Sequence, residues 1–305
     1  MDVSVVMPAY RAAGFIWRAI DSALSQADVS VEVVVVDDAC PDHTGDRVEE
    51  RYHDTPLVRV VRLPANGGPG VARNAGFKAA RGRWIAVLDA DDAFEPGRLR
   101  RMLDQAAEFG ADVVGDNVRV YDAATGSLSE PKLKSLTVPG QLDVYSFVDG
   151  SRPGRGDLDL GLLKPIFNRA RLARLGTEYP DDVRHGEDFE FYLAVIRAGA
   201  RFFVVPEAGY LWTSRQSGMS QTLVDYSQQV VRVRLLQADP VISADHRLVQ
   251  LLEQRAAALV KFQITTRYAN AIHAGKFGHA LAMCIRHPHL LRLASRSLTR
   301  KLRST

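Results

Sequence analysis

The chain has 305 residues, of which 46% are apolar and 25% charged, so it is neither disordered nor too small to bury a core. Its only cysteines, Cys40 and Cys284, lie 244 positions apart, which excludes a disulfide scaffold and fits a reducing cytoplasm. The net charge of +3 hides an asymmetry: Glu253 is the last acidic residue, so residues 1–253 carry 29 Lys and Arg against 36 Asp and Glu, net −7, and the remainder carries +10.

The first 120 residues alternate strand and helix patterns. Val3–Met7 is a short β-branched run ending at Pro8, and a helical pattern follows over Phe15–Gln26. Val31–Val36 is almost wholly apolar, as a parallel strand covered on both faces should be. Then come helix Thr44–His53, strand Val58–Leu63, helix Gly70–Ala80, strand Trp84–Leu88, helix Pro96–Phe109 and strand Asp112–Val118. Such a series predicts an α/β fold with a doubly wound parallel sheet. From about residue 119 the alternation stops. Ala123-Ala124-Thr125-Gly126-Ser127 reads as a hairpin turn, and residues 129–160 are rich in Gly, Pro and Ser with weak periodicity. Helix returns at Glu187–Gly199, followed by strands Phe202–Val205 and Gly209–Trp212. From about Asp225 the pattern is helical to the end, with Glu253–His273 the longest segment. No apolar run approaches the roughly 18–20 residues that span a bilayer. Met1-Asp2-Val3 has no basic leader, so no signal peptide is expected.

Open α/β sheets bind ligands beyond the carboxyl ends of their strands. The unusual residues sit at those ends: Pro8-Ala9-Tyr10, Asp37-Asp38 and Asp89-Ala90-Asp91-Asp92. Two carboxylates two apart in a loop, Asp89 and Asp91, are hard oxygen ligands suited to Mg²⁺ or Mn²⁺ bridging a diphosphate. An Asp there also caps helices, and Asp92 is a candidate cap for Pro96–Phe109. Asp37-Asp38 can accept from a base or ribose, or cap a turn; the pair alone does not choose. In Asn66-Gly67-Gly68-Pro69-Gly70-Val71-Ala72-Arg73-Asn74 the glycines permit close backbone approach at a helix start. The segment is neither a dinucleotide fingerprint nor a phosphate loop of the Gly-Lys-Ser/Thr kind. His185-Gly186-Glu187-Asp188 opens a helix, where acidic residues suit the macrodipole whether or not one is a base. Tyr210 to Ser220 mixes aromatic, basic and hydroxyl residues around Arg215, which can reach phosphates.

In this order, SVVMPAYRA, VVVVDDACPDHT, NGGPGVARNAG, RWIAVLDADDAFEPGRL and HGEDFEF resemble family 2 glycosyltransferases with the GT-A fold. GLLKPIFNR and YLWTSRQSGMS look most like the bacterial exopolysaccharide branch, of the succinoglycan type. The resemblance covers roughly residues 1–222. It implies a nucleotide-sugar-binding half over 1–120 and an acceptor-binding half over 121–222; the pattern and charge beyond read as a helical basic region over 223–305. The resemblance implies that Pro8, Ala9, Tyr10, Asp37, Asp38, Arg73, Asp89, Ala90 and Arg215 bind the nucleotide sugar, that Asp91 with Asp89 holds Mn²⁺ or Mg²⁺, and that Asp188 is the catalytic base of an inverting transfer. The expected donor is UDP-linked and the acceptor a saccharide or lipid-linked saccharide. Many relatives carry a metal-binding His where this chain has Arg215–Ser220, leaving Arg215 and Ser217 as substitutes. The processive Gln-x-x-Arg-Trp signature is absent, so a single-sugar transfer is expected.

Two other classes fit parts of this pattern. A sugar-nucleotide nucleotidyltransferase needs a Gly-rich basic loop after the first strand, and Pro8 to Gly14 has one Gly. A non-catalytic nucleotide-sugar-binding subunit has no use for Asp91 and Asp188 together. The tail suggests a basic amphipathic helix over Pro288–Arg303, with Leu290, Leu291, Ala294, Leu298 and Leu302 on one arc and Arg292, Arg296, Arg300 and Arg303 opposite. Such a helix either docks on an anionic membrane, placing the protein on the inner face, or packs on the protein. Nucleic acid is not an expected partner, because the body is acidic.

Overall fold

The computed structural model describes residues 1–214 and 225–291. The chain divides into two compact units, Met1–Arg215 and Gln216–Thr305.

The first unit is a mixed α/β layer structure. Its strands are β1 (Val3–Ala9), β2 (Val31–Asp37), β3 (Val58–Arg62), β4 (Trp84–Val87), β5 (Ala93–Phe94), β6 (Val113–Asp122), β7 (Gly140–Leu142), β8 (Ile166–Asn168) and β9 (Phe202–Ser214). They form one sheet in the order β3-β2-β1-β4-β8-β6-β9-β5, with β7 added against β9. Strands β3, β2, β1 and β4 run parallel, and β8 reverses against both β4 and β6. The helices are α1 (Ile16–Leu24), α2 (Thr44–Arg51), α3 (Pro69–Ala79), α4 (Arg98–Phe109), α5 (Val144–Gly150), α6 (Arg169–Leu175) and α7 (Glu187–Arg197).

The local causes are readable. Every residue of β2 is buried, as its Val run demands. Glu32, which interrupts its apolar run, is held by Ser4 Oγ at 2.6 Å and by Arg59 Nη2 at 2.8 Å. Helix α1 buries Ile16, Ala19, Ile20 and Ala23, the i, i+3, i+4, i+7 stripe of a sheet-covering helix. Helix α3 lies close on β1 because residue 76 is glycine: a Cβ there would stand 2.2 Å from Val6 Cγ1.

Several boundaries differ from the sequence expectation. The strands expected at 202–205 and 209–212 are one strand, β9, which runs parallel to β6 with register shifts around Asn117. Val205-Pro206-Glu207 suggests a break only when read locally; the partner strand carries the chain through. The Gly-rich stretch contains β7 and α5, the latter started by a reciprocal cap between Asp143 and Ser146. The expected hairpin turn forms, with Asp122 N–H donating to Ser127 O. Helix α4 starts at Arg98 after Gly97, whose φ is 70°. Asp92 does not cap it; that carboxylate accepts from Tyr210 Oη and Thr213 N on β9 instead.

The second unit contains α8 (Ser227–Ala238), α9 (Pro240–Ser243), α10 (His246–His273) and α11 (Phe277–Arg286). Helix α10 begins seven residues before the expected Glu253, because Asp245 caps it through Leu248 N–H. It packs on α8 and α11 through Leu248, Leu252, Ala256 and Leu259. Among the described residues no helix is long and apolar enough to cross a membrane. Arg215 and Ser217 lie outside the described residues, as does the greater part of the expected Pro288–Arg303 helix. At its start Leu290 is buried while Leu291 is 55% exposed, so these two leucines do not share one face.

Candidate active site

Four elements converge at the carboxyl end of β4. Leu88 continues β4 and delivers Asp89 into the loop before β5. Because β8 runs antiparallel to β4, with Ala86 opposite Ile166, Lys164, two residues before β8, emerges beside Asp89. Helix α3 contributes Arg73, and the first turn of α7 contributes Glu187 and Asp188.

These side chains form one buried ionic cluster. Arg73 Nη2 donates to Asp89 Oδ1 at 2.9 Å, and Arg73 Nη1 donates to Glu187 Oε1 at 2.6 Å. Lys164 Nζ donates to Asp188 Oδ2 at 2.6 Å and lies 3.2 Å from Asp89 Oδ2. Arg73 and Lys164 have side chains only 3% and 6% exposed, while Asp89 is 27% exposed and forms the open side of the cluster. Two cations and three carboxylates leave a net charge of −1, so each ion is compensated despite its burial.

One atom stands apart. Asp188 Oδ1 is buried and lies 3.2 Å from Arg73 Nη1, yet it accepts no hydrogen bond among the described residues. Its sister oxygen is anchored by Lys164, so the carboxylate is oriented with one acceptor position left open.

The charges act on one another. Burial alone raises the Asp89 carboxyl, but Lys164 and Arg73 outweigh it and hold the group at about 2. Burial lowers Lys164, while Asp188 and Asp89 push it up to about 12. Burial and the neighbouring Asp188 raise Glu187 against the opposing Arg73. Burial, Asp91 and Asp89 raise Asp92 well above the usual carboxylate range.

The Asp89–Asp92 loop is held by β9. Tyr210 Oη accepts from Asp89 N–H at 3.1 Å and donates to Asp92 Oδ2 at 2.8 Å. Ala90 is buried within this loop, and Asp91 is half-buried between the two clamped carboxylates.

Other residues singled out from the sequence lie along the same sheet edge. Pro8 and Ala9 end β1, and Tyr10 follows with 46% exposure. Asp38 accepts from Gly67 N at 2.7 Å, Gly68 N at 2.9 Å and Asn66 Nδ2 at 3.0 Å, so it holds the glycine loop in place. Asp37 accepts from Cys40 N at 2.7 Å and Gly45 N at 2.9 Å, which closes the turn into α2. The glycines admit the protein's own chain: a Cβ on Gly70 would lie 2.5 Å from Pro180 O. Arg73, placed near base or phosphate by the sequence pattern, is turned among the carboxylates.

Sequence reading missed Lys164 and Tyr210 as site residues. Lys164 lies in the segment GLLKPIFNR, but nothing local marks a lysine before a three-residue strand. Its environment depends on the antiparallel turn of β8. A third addition is Arg98, fully buried on α4, whose guanidinium pairs with Asp116 at 2.6 and 2.8 Å. It also donates to the backbone carbonyl of Lys164 at 2.6 Å, fixing the segment that leads into β8.

Among the described residues no group of three or more His, Cys, Asp or Glu side chains converges to hold a metal ion. The donors nonetheless suit Mg²⁺ or Mn²⁺. Such ions commonly use one or two carboxylates and take their remaining ligands from substrate phosphates and water. Asp89 and Asp91 are the carboxylates that would take that place.

Residues 4–157 match the family described as Glycosyl transferase family 2. The chain belongs to that family and is a glycosyltransferase. Within the family it sits in the exopolysaccharide branch. It is 40% identical over 252 residues to the succinoglycan biosynthesis protein ExoO of Rhizobium meliloti (strain 1021), covering 82% of this chain and 68% of that protein. It is 33% identical over 298 residues to ExoU of the same organism, covering 95% and 84%. The fold resembles the crystal structure of S. aureus TarS 1-349 in complex with UDP-GlcNAc. The TM-score is 0.65 at 24% identity, covering 84% of this chain and 73% of that one. That places the sheet and its helices in the GT-A architecture.

Proposed function

We propose that the protein moves one sugar from a UDP-linked donor to a hydroxyl of a saccharide or lipid-linked saccharide, inverting the anomeric centre. The observation that carries this reading is Asp188: one oxygen anchored by Lys164, the other buried and without a hydrogen bond among the described residues. An acceptor hydroxyl that donates to Oδ1 completes that carboxylate. Asp188 then takes the proton as the hydroxyl oxygen bonds to the anomeric carbon and the bond from that carbon to phosphate breaks. Positioned proton transfer of this kind contributes roughly 10²–10⁴ in rate. TarS, similar in fold, was crystallised with UDP-GlcNAc, which supports a UDP-linked donor.

The nucleotide is assigned to the edge formed by Pro8, Ala9, Tyr10, Asp37 and Asp38, with the diphosphate toward Asp89, Ala90 and Asp91. Asp91 and Asp89 would hold a divalent cation, which would neutralise charge on the departing nucleoside diphosphate. Lys164 and Arg73 keep Asp89 ionised and stand between it and Asp188. Expected location is the cytoplasmic side of the membrane, where nucleotide sugars are made.

The test is release of free nucleoside diphosphate from a panel of UDP-hexoses, with and without saccharide acceptors, followed by NMR of the product's anomeric configuration. Acceptor-dependent release with an inverted product is expected. Retention of configuration overturns the mechanism, and release that ignores acceptor overturns the transfer.

A further inference from the structure

Helix α11 uses only half of its apolar surface within its own unit. Ala280 and Cys284 are buried, and the helix packs against α10. Phe277, Leu281 and Ile285 remain 66%, 63% and 76% exposed. Their spacing of four places them within an arc of about 80°, beside the buried pair, and puts His279 and Arg286 on the opposite side. Leu291, just beyond the helix, is 55% exposed as well. Four large apolar side chains held out to water along one short stretch need a covering.

The charge around that stripe is of one sign. Lys276 and Arg286 bracket α11, and no Asp or Glu follows Glu253 in the chain, against ten Lys and Arg. A helix that is simply solvated mixes signs. A protein partner of ordinary interface size buries about 1,200–2,000 Å² in total, far more than three aligned side chains supply. An apolar stripe about two turns long, flanked by cations, matches an interfacial helix that sinks its apolar side chains between lipid headgroups. We infer that α11 is a membrane-docking helix: Phe277, Leu281 and Ile285 insert into an anionic lipid surface, and Lys276 and Arg286 at its two ends contact the headgroups.

This inference concerns α11, whose helix is described, and does not require a helix over Pro288–Arg303. It is also independent of the sugar-transfer reading, because binding is measured without donor or acceptor. The full chain is sedimented with phosphatidylcholine vesicles and with vesicles containing about 30% phosphatidylglycerol. Binding to the anionic vesicles alone is expected, weakening as salt screens the headgroups. Leu281→Glu with Ile285→Glu should lower that binding by about tenfold or more. The thermal midpoint and turnover of a soluble acceptor should stay at the parent level. In a second variant, Phe277→Trp, the introduced indole's emission should shift to the blue on anionic vesicles and be quenched by lipids brominated in the acyl chain. Equal sedimentation of parent and double variant overturns the inference. So does no binding at low salt, or an indole emission in the Phe277→Trp variant that lipid leaves unmoved. A concentration-dependent dimer that the double variant abolishes shows instead that a second copy covers the face.

Discussion

Lys164 Nζ lies 2.6 Å from Asp188 Oδ2, and the same ammonium stands 3.2 Å from Asp89 Oδ2. One side chain therefore ties the carboxylate assigned to the donor to the carboxylate assigned to the acceptor. The two are 99 residues apart in sequence, and Arg73 joins them as well, 2.9 Å from Asp89 Oδ1 and 3.2 Å from Asp188 Oδ1.

Lys164→Met should remove both contacts and leave two carboxylates without their ammonium. Breaking a buried pair from one side costs about 3–5 kcal/mol, so a lower denaturation midpoint is expected together with a fall in kcat. Lys164→Arg should recover more of the stability than of the rate. A double-mutant cycle with Asp188→Asn should show coupling of about 0.5–3 kcal/mol. Additive effects would remove the link between the two residues.

Asp188→Asn keeps the size of the side chain and removes its basicity. Turnover should fall about 10²-fold or more, while the dissociation constant for UDP stays within a few-fold. Calorimetry of UDP binding beside steady-state kinetics separates the two effects. A variant with near-parent kcat takes Asp188 out of the mechanism.

Asp91→Ala should abolish turnover and also the extra thermal stabilisation that Mn²⁺ adds to UDP. Excess EDTA on the parent protein should reproduce both losses. The thermal shift reads the ion without relying on activity. Full turnover in EDTA would reassign Asp91 to a purely structural place in the loop.

Arg98→Met leaves Asp116 buried and unpaired and frees the carbonyl of Lys164. A loss of about 3–5 kcal/mol in urea unfolding is expected. Loss of kcat should exceed any change in UDP affinity, because Arg98 touches the backbone of Lys164 and none of the residues assigned to the nucleotide.

Glu32 gives a pH dependence remote from the site. Burial raises its carboxyl, but Ser4, Arg59 and the Arg81 backbone together bring it below its ordinary value. A folded value below the unfolded one, about 4.3, contributes stability that is fully present above that pH. The contribution is lost as pH falls through the folded value. Urea midpoints at pH 7 and pH 3 should therefore drop further for the parent than for Glu32→Gln. Equal drops would show that Glu32 is not a source of acid sensitivity.

The sequence by itself determined the βαβ series and the strand ends where chemistry collects. Runs such as Val31 to Val36 have one stable use, a parallel strand covered on both faces, and parallel strands direct their following loops to one edge. Asp89, Asp91 and Asp188 were legible as candidates because each sits at a strand end or a helix start with a recognisable order around it. Tertiary structure alone decided what those carboxylates touch. Lys164 becomes a neighbour of Asp89 through the reversal of β8, and Tyr210 reaches the Asp89–Asp92 loop across 118 residues. Asp92 looked like a helix cap because caps are local; a partner on β9 outcompeted that role. Asp38 was read for a base or ribose, and only the tertiary structure shows that its oxygens also organise the glycine loop. Local patterns report propensity within a few residues. Ion pairing in a buried cluster depends on which distant segments the sheet brings together, and that information resides in the strand order.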